Sequence, residues 1–292
     1  MVDILISIVL ALIMFMIGSS LKPGQFWQIA KRPKSVALGL VLQMLFLPLL
    51  VFALVDITNL PPEFKVGLMV LSFCPGGTTS NLVSYLVDAD VALSIYLTSI
   101  NSFLILVTVP TFTYLVLLRF DFSGDHFSLP IGSTILSVIL VILMPVILGM
   151  QIRRMFPDLI IKLQKPLKYA SIVLLAAVFT IKFLAPSAQG GSGISWDDFK
   201  ALIPITLFIH LLVMFLSYYL AKGFLSNHIA CVTIGIEVGL QNTTLALLVT
   251  STILGNENMA KPALVYATFS FFTTFIYAWI NKKYDRIHRL EN

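Results

Sequence analysis

Apolar positions along the chain gather into long runs, separated by short clusters of charge, proline and glycine. Nine such runs stand out, at roughly 3–21, 35–56, 64–86, 90–119, 130–152, 166–186, 200–223, 226–254 and 260–281. A helix needs ~20 apolar residues to cross the hydrocarbon layer, and each run is about that long or longer. The pattern predicts an all-α polytopic membrane protein of nine transmembrane helices, with residues 1–292 forming one membrane domain. The first run is expected to be a retained helix, not a cleaved leader: Asp3 stands where a basic n-region belongs, and Gly18-Ser19-Ser20-Leu21 leads straight into a basic loop.

Composition sharpens this picture. Of the 292 residues 58% are apolar and only 11% charged, which excludes a soluble globular domain and a disordered chain alike. Two cysteines, Cys74 and Cys231, provide no disulfide framework and no zinc cluster. The few charges are sorted by side. Lys22, Lys31, Arg32 and Lys34 follow the first run; Arg153, Arg154, Lys162, Lys165 and Lys168 follow the fifth; Lys222 follows the seventh; and Lys282, Lys283, Arg286 and Arg289 follow the ninth. These are 14 of the 19 basic residues. Basic loops stay cytoplasmic, so the N-terminus is expected outside and the C-terminus inside. Lys182, near the outer end of the sixth run, is expected to snorkel towards the interface. The net charge of +5 thus reflects topology, and no basic stripe with interleaved aromatics points to nucleic acid.

Two runs contain residues that a membrane helix normally avoids. The third breaks at Cys74-Pro75-Gly76-Gly77-Thr78-Thr79-Ser80-Asn81, where proline removes a donor and two glycines weaken the helix. The eighth carries Glu237-Val238-Gly239-Leu240-Gln241-Asn242, a carboxylate and two amides at membrane depth. Such groups persist only when buried in protein or lining a wet cavity. Runs one to four and six to nine each place an interrupted helix third, and one crossing separates the two sets. The second set therefore enters from the opposite side, as in the inverted-topology repeats of secondary transporters.

Glu237 is the one carboxylate well inside a run, and an ionised carboxylate there costs at least ~2.5 kcal/mol unless it meets a cation or a proton. Gln241 follows one turn later, and unwinding near Gly239 would free the carbonyls of Val238 and Leu240. Ser80 and Asn81, then Ser94 and Thr98 at i and i+4 on the next helix, add oxygens of the kind hard cations prefer. Gln43, inside the second run, fits interhelical glue and ligand equally well. His210 reads as a hydrogen-bonded structural residue before a proton relay, and 186–198 reads as a flexible outer linker. Free N–H groups at the helix start after Gly76-Gly77 favour an anion. One carboxylate with two monovalent cations leaves a net positive site.

Phe73-Cys74-Pro75-Gly76-Gly77-Thr78-Thr79-Ser80-Asn81, followed by Asp90-Val91-Ala92-Leu93-Ser94 and Thr98-Ser99, resembles the bile acid:sodium symporter family, as does Glu237-Val238-Gly239-Leu240-Gln241-Asn242. Met14-Phe15-Met16-Ile17-Gly18 with Leu21-Lys22 looks like the opening helix of that family, and the Pro33-Lys34 loop leading to Gln43 also fits. The resemblance implies two broken helices crossing at the centre of a core domain (35–56, 64–86, 90–119, 200–223, 226–254 and 260–281) that rocks against a panel domain (3–21, 130–152 and 166–186). By similarity, one sodium ion would use Ser80, Asn81, Ser94, Thr98 and Glu237. A second would use Gln43, Glu237, Gln241 and the carbonyls of Val238 and Leu240. An organic anion, bile acid-like or a small carboxylate, would sit near Thr78, Thr79 and Asn242, with Ser270 a further candidate. Many bacterial relatives have ten helices, and this chain begins where their second would lie, which implies a thinner panel.

The expected function is sodium-coupled symport of an organic anion by alternating access, in a bacterial inner membrane, with lipid as the surrounding partner. Related arsenite permeases place a cysteine in a corresponding broken helix, so Cys74 makes thiol-dependent metalloid export an alternative. A membrane ligand sensor is another. An enzyme is not expected, because no His-rich or paired-carboxylate constellation lies within the runs.

Overall fold

The computed structural model describes residues 2–20, 32–120, 140, 144–186 and 189–291. Leu21, Lys22, Trp27, Lys31 and most of the first half of run 130–152 lie outside the described residues, as does the side chain of Thr78. The described chain forms helices α1 (Val2–Ser20), α2 (Pro33–Asp56), α3 (Pro62–Phe73), α4 (Thr78–Leu86), α5 (Val91–Arg119), α6 (Met144–Met155), α7 (Pro157–Leu184), α8 (Trp196–Phe224), α9 (His228–Gly239), α10 (Thr243–Leu247, continuing as a π turn over Leu248–Ile253) and α11 (Glu257–Glu291). Among the described residues, four stretches are long and apolar enough to cross a membrane: α2, α8, His228–Ile253 through α9 and α10, and Glu257–Lys282. A bent α5 makes a fifth.

Prolines explain the irregular helices. Within α2, a π turn over Leu42–Phe46 comes just before Pro48, whose ring would crowd the carbonyl of Met44. Widening the turn by one residue relieves that clash and places Gln43 in the widened turn. The 58° bend of α5 falls between Ile105 and Val107, at the carbonyl four residues before Pro110. Polar caps set other starts. Asp90 accepts from the Leu93 amide (3.1 Å) at α5, Asn227 from the Ala230 amide (3.1 Å) at α9, and Ser195 and Asp198 form a reciprocal capping box at α8.

Helices α1, α6 and α7 pack on one another, and Gly18 lies against the α6 backbone while Gly149 lies against the α1 backbone, so close that neither site has room for a side chain. The remaining helices pack around α9 and α10. Within the apolar 18-residue window of the His228–Ile253 span 83% of the residues are buried, against 33–44% in the windows of the other three, so the interrupted helix is the one enclosed by its neighbours. Contacts of α1 with α10, and of α7 with α11, join the two groups.

Two expectations need correction. Lys182 does not snorkel: its side chain is 0% exposed and its ammonium lies 2.6 Å from the Glu257 carboxylate on α11, which supplies its counter-charge. The described part of loop 186–198 is tied down as well. Ser192 donates through both its amide (2.9 Å) and its hydroxyl (2.8 Å) to the Lys182 carbonyl, and Ile194 packs beside the buried Phe64, Leu202 and Val265.

Candidate functional site: the junction of two interrupted helices

Cys74 leaves the helical region at the end of α3 (φ −97°, ψ 87°), and Pro75-Gly76-Gly77 carries the chain to α4. On the other side Leu240 is extended (φ −85°, ψ 117°), and Asn242 starts α10 by accepting from the Leu245 amide at 3.0 Å. The two breaks meet. The Asn242 amide donates to the Cys74 carbonyl at 3.0 Å, and a methyl group added at Gly76 would stand 2.8 Å from the Leu240 carbonyl oxygen. Glycine at 76 therefore lets one unwound backbone rest on the other.

Glu237, 1% exposed, lies in the last turn of α9 beside this junction. Ser94, one turn into α5, donates to its Oε1, and Thr98, one turn later, donates to Oε2 at 3.1 Å. Ser80 on α4, fully buried, lies near the carboxylate and donates its hydroxyl to the Gly77 carbonyl at 2.8 Å. Asn81 Oδ1 sits 2.7 Å from the Ser94 hydroxyl and 3.3 Å from that of Thr98. Two hydroxyl protons thus face four acceptor contacts. With both protons given to the carboxylate, Asn81 must turn its NH2 group inward or meet a cation with its carbonyl. Among the described residues, no lysine or arginine pairs with Glu237.

A second set of oxygens lies towards α2. Gln43 Nε2 donates to Gln241 Oε1 at 3.2 Å, and Gln241 Nε2 donates to the Val238 carbonyl at 2.6 Å. Gln43 is 2% exposed, and its Oε1 accepts no hydrogen bond among the described residues. A buried orphan oxygen costs about 1–3 kcal/mol unless something satisfies it, and a hard cation does so. The donor set, which is alcohols, amides, carbonyls and one carboxylate, suits sodium.

The expected anion residues divide. Asn242, half-buried, lies beside Gly77 at the start of α4, and Thr79 is exposed in the first turn of that helix. Ser270 is 5% exposed on the α11 face that also carries Tyr266 and Thr274. Among the described residues, no hydrogen bond joins its hydroxyl to the junction. Cys74 has its side chain wholly buried and offers the crossing only its carbonyl. His210 is a hydrogen-bonded residue on α8, its ring between α9 and α11, with Nδ1 2.7 Å from the Tyr266 hydroxyl and Nε2 2.8 Å from Thr273. Sequence reasoning missed Tyr266, which has an ordinary aromatic position on an apolar helix and no local signal of its partner 56 residues away.

Residues 7–189 match the model of the sodium bile acid symporter family. The chain is 29% identical over 241 residues to an uncharacterized sodium-dependent transporter, YocS, of Bacillus subtilis, covering 82% of this chain and 71% of that protein. It is 31% identical over 235 residues to a probable chloroplastic sodium/metabolite cotransporter, BASS1, of rice, covering 80% of this chain but only 55% of that relative. With the human ileal sodium/bile acid cotransporter it shares 26% identity over 298 residues, 97% of this chain and 80% of the relative. These relatives are transporters, not enzymes. On the family match, which spans more than half of its length, this chain belongs to the sodium bile acid symporter family.

Proposed function

We propose that this protein is a sodium-coupled symporter of an organic anion that works by alternating access across a bacterial inner membrane. In this reading the chain makes nine crossings in an inverted repeat, with the N-terminus outside and the C-terminus inside. The packing of α1, α6 and α7 on one another, apart from the helices around α9 and α10, supports a panel and a core. One sodium ion binds Ser80, Asn81, Ser94, Thr98 and Glu237. A second binds Gln43, Glu237, Gln241 and the carbonyls of Val238 and Leu240.

The observation that carries the reading is Glu237: a carboxylate 1% exposed, met by hydroxyls that also meet the Asn81 amide, beside the contact between two helix breaks. Sodium held there ties α2, α4 and α5 to the α9–α10 junction, so ion occupancy and the geometry of the crossing depend on each other. Two sodium ions against one carboxylate leave one positive charge, and the α4 N-terminus adds the positive end of its dipole. An anion near Thr78, Thr79 and Asn242 answers both. Coupling follows, because the anion edge has its full positive character only with the ions bound.

Purified protein in liposomes tests this. An inward sodium gradient should drive uptake of a small carboxylate or bile salt at least tenfold faster than an equal potassium gradient, and Glu237→Gln should abolish the difference. Sodium-stimulated uptake that survives in Glu237→Gln overturns the ion assignment.

A further inference from the structure

Next to the break after α9, the Gly239 carbonyl is held by two side chains from different helices. As the last residue of α9, Gly239 would offer its carbonyl to the amide of Thr243 if the helix continued. Past the break that amide turns instead to the Gln241 carbonyl (3.1 Å). The Tyr266 hydroxyl on α11 donates to the Gly239 carbonyl, and His210 Nδ1 on α8 lies 3.2 Å from the same oxygen and 2.7 Å from the Tyr266 hydroxyl. Tyr266 has one proton and gives it to the carbonyl, so the Nδ1 contacts require the proton on Nδ1. Nε2 is then the acceptor, with the Thr273 hydroxyl at 2.8 Å and that of Thr274 at 3.3 Å. His210, Tyr266 and Thr274 are buried to within 3% of complete, and the two rings meet edge to face at 5.1 Å.

This grip bears on the neighbouring carbonyls. Val238 and Gly239 close α9, so their carbonyls are among the last acceptors of that helix with no amide of their own helix to meet, whereas Leu240 is already extended. The Gly239 carbonyl points to α8 and α11, while that of Leu240 faces Gly76 and that of Val238 accepts from Gln241. Release of the Gly239 oxygen would let the last turn of α9 and the extended Leu240 beside it rotate, carrying both flanking carbonyls with them.

We propose that His210 and Tyr266 are positioning residues for ion binding: they clamp the Gly239 carbonyl and so fix the Val238 carbonyl, which faces Gln241, and the Leu240 carbonyl, which faces Gly76. The inference rests on the sodium reading above. Groups that orient a metal's ligands are worth 10–100-fold in metal affinity. Tyr266→Phe, which removes one hydroxyl and keeps the ring, should raise the sodium concentration for half-maximal thermal stabilisation about tenfold. His210→Asn, whose amide NH2 stands near the place of Nδ1, should stay within about threefold of wild type, and His210→Leu should match Tyr266→Phe.

The measurement is melting temperature of detergent-purified protein across a sodium chloride series, with potassium chloride making up constant ionic strength. A purely structural role lowers the melting temperature equally at all sodium concentrations and leaves half-saturation unchanged, and that outcome in Tyr266→Phe overturns the clamp. Should that variant not fold, Thr274→Val, expected to shift half-saturation about threefold, decides in its place, and unchanged half-saturation there is equally decisive. Failure of the sodium reading looks different: wild type would show no stabilisation by sodium over potassium, or Glu237→Gln would keep it.

Discussion

Lys182 and Glu237 are both hidden from solvent, at 0% and 1% exposure, in the same apolar body, yet they are accommodated in opposite ways. Lys182 on α7 has a carboxylate from α11 at 2.6 Å. Glu237 is met by the hydroxyls of Ser94 and Thr98, with no basic side chain paired with it among the described residues. A charge buried for architecture comes with its counter-charge, because a side chain left without one costs several kcal/mol. A carboxylate whose counter-charge arrives from solution has to be surrounded by groups that serve with and without it. Hydroxyls do so: they donate to the carboxylate, and their oxygens accept a cation.

The strongest way to break this comparison is to neutralise each member in turn. Glu237→Gln should reduce sodium-driven uptake more than a hundredfold while leaving the melting temperature in potassium unchanged or raised, because the amide removes a buried charge without adding bulk. A melting temperature that falls sharply in potassium would mean Glu237 is structural, and the contrast would collapse.

The ion pair predicts the reverse signature and an internal asymmetry. Glu257 is 34% exposed whereas Lys182 is fully buried. Glu257→Gln strips the carboxylate from a buried ammonium and should cost about 3 kcal/mol, independent of sodium. Lys182→Met leaves a carboxylate that water already reaches and should cost less than half of that. The double variant should recover most of the loss. Chemical denaturation in detergent measures all three, and equal losses in the two single variants would contradict the assigned burial.

These two charges also mark what the sequence makes legible. A carboxylate and two amides inside run 226–254, and Pro-Gly-Gly inside run 64–86, are visible because they violate the rules of a membrane helix, and the chain does unwind at both. Ser94 and Thr98 are legible as an i, i+4 pair on one helical face. Gln43 is ambiguous in the sequence: the hydrogen bond to Gln241 spans 198 residues, and Gln43 sits in a π turn whose local cue is Pro48. The partner of Lys182 lies 75 residues away, and the tie from Ser192 turns a Gly-Ser sequence that reads as a loose linker into an anchored loop. What escapes sequence reading here is long-range pairing, since a residue's chemistry is local but its partner is chosen by packing.

The smallest predicted effect grades the hydroxyls around Glu237. Ser94 donates to the carboxylate and lies 2.7 Å from Asn81, whereas Thr98 sits at 3.1 and 3.3 Å from the same two groups. Shorter contacts place the Ser94 oxygen nearer the point where carboxylate and amide oxygens converge, so its loss should weaken sodium binding more. Ser94→Ala should raise half-saturation by sodium about tenfold, and Thr98→Val, which keeps the volume, about threefold. Neither change strands the buried carboxylate without a donor, because the other hydroxyl still donates to Glu237, so stability in potassium should fall by no more than ~1 kcal/mol. Sodium titrations of thermal stability rank the two directly. An effect of Thr98→Val larger than that of Ser94→Ala would place the cation further along α5 than the contacts at Glu237 imply.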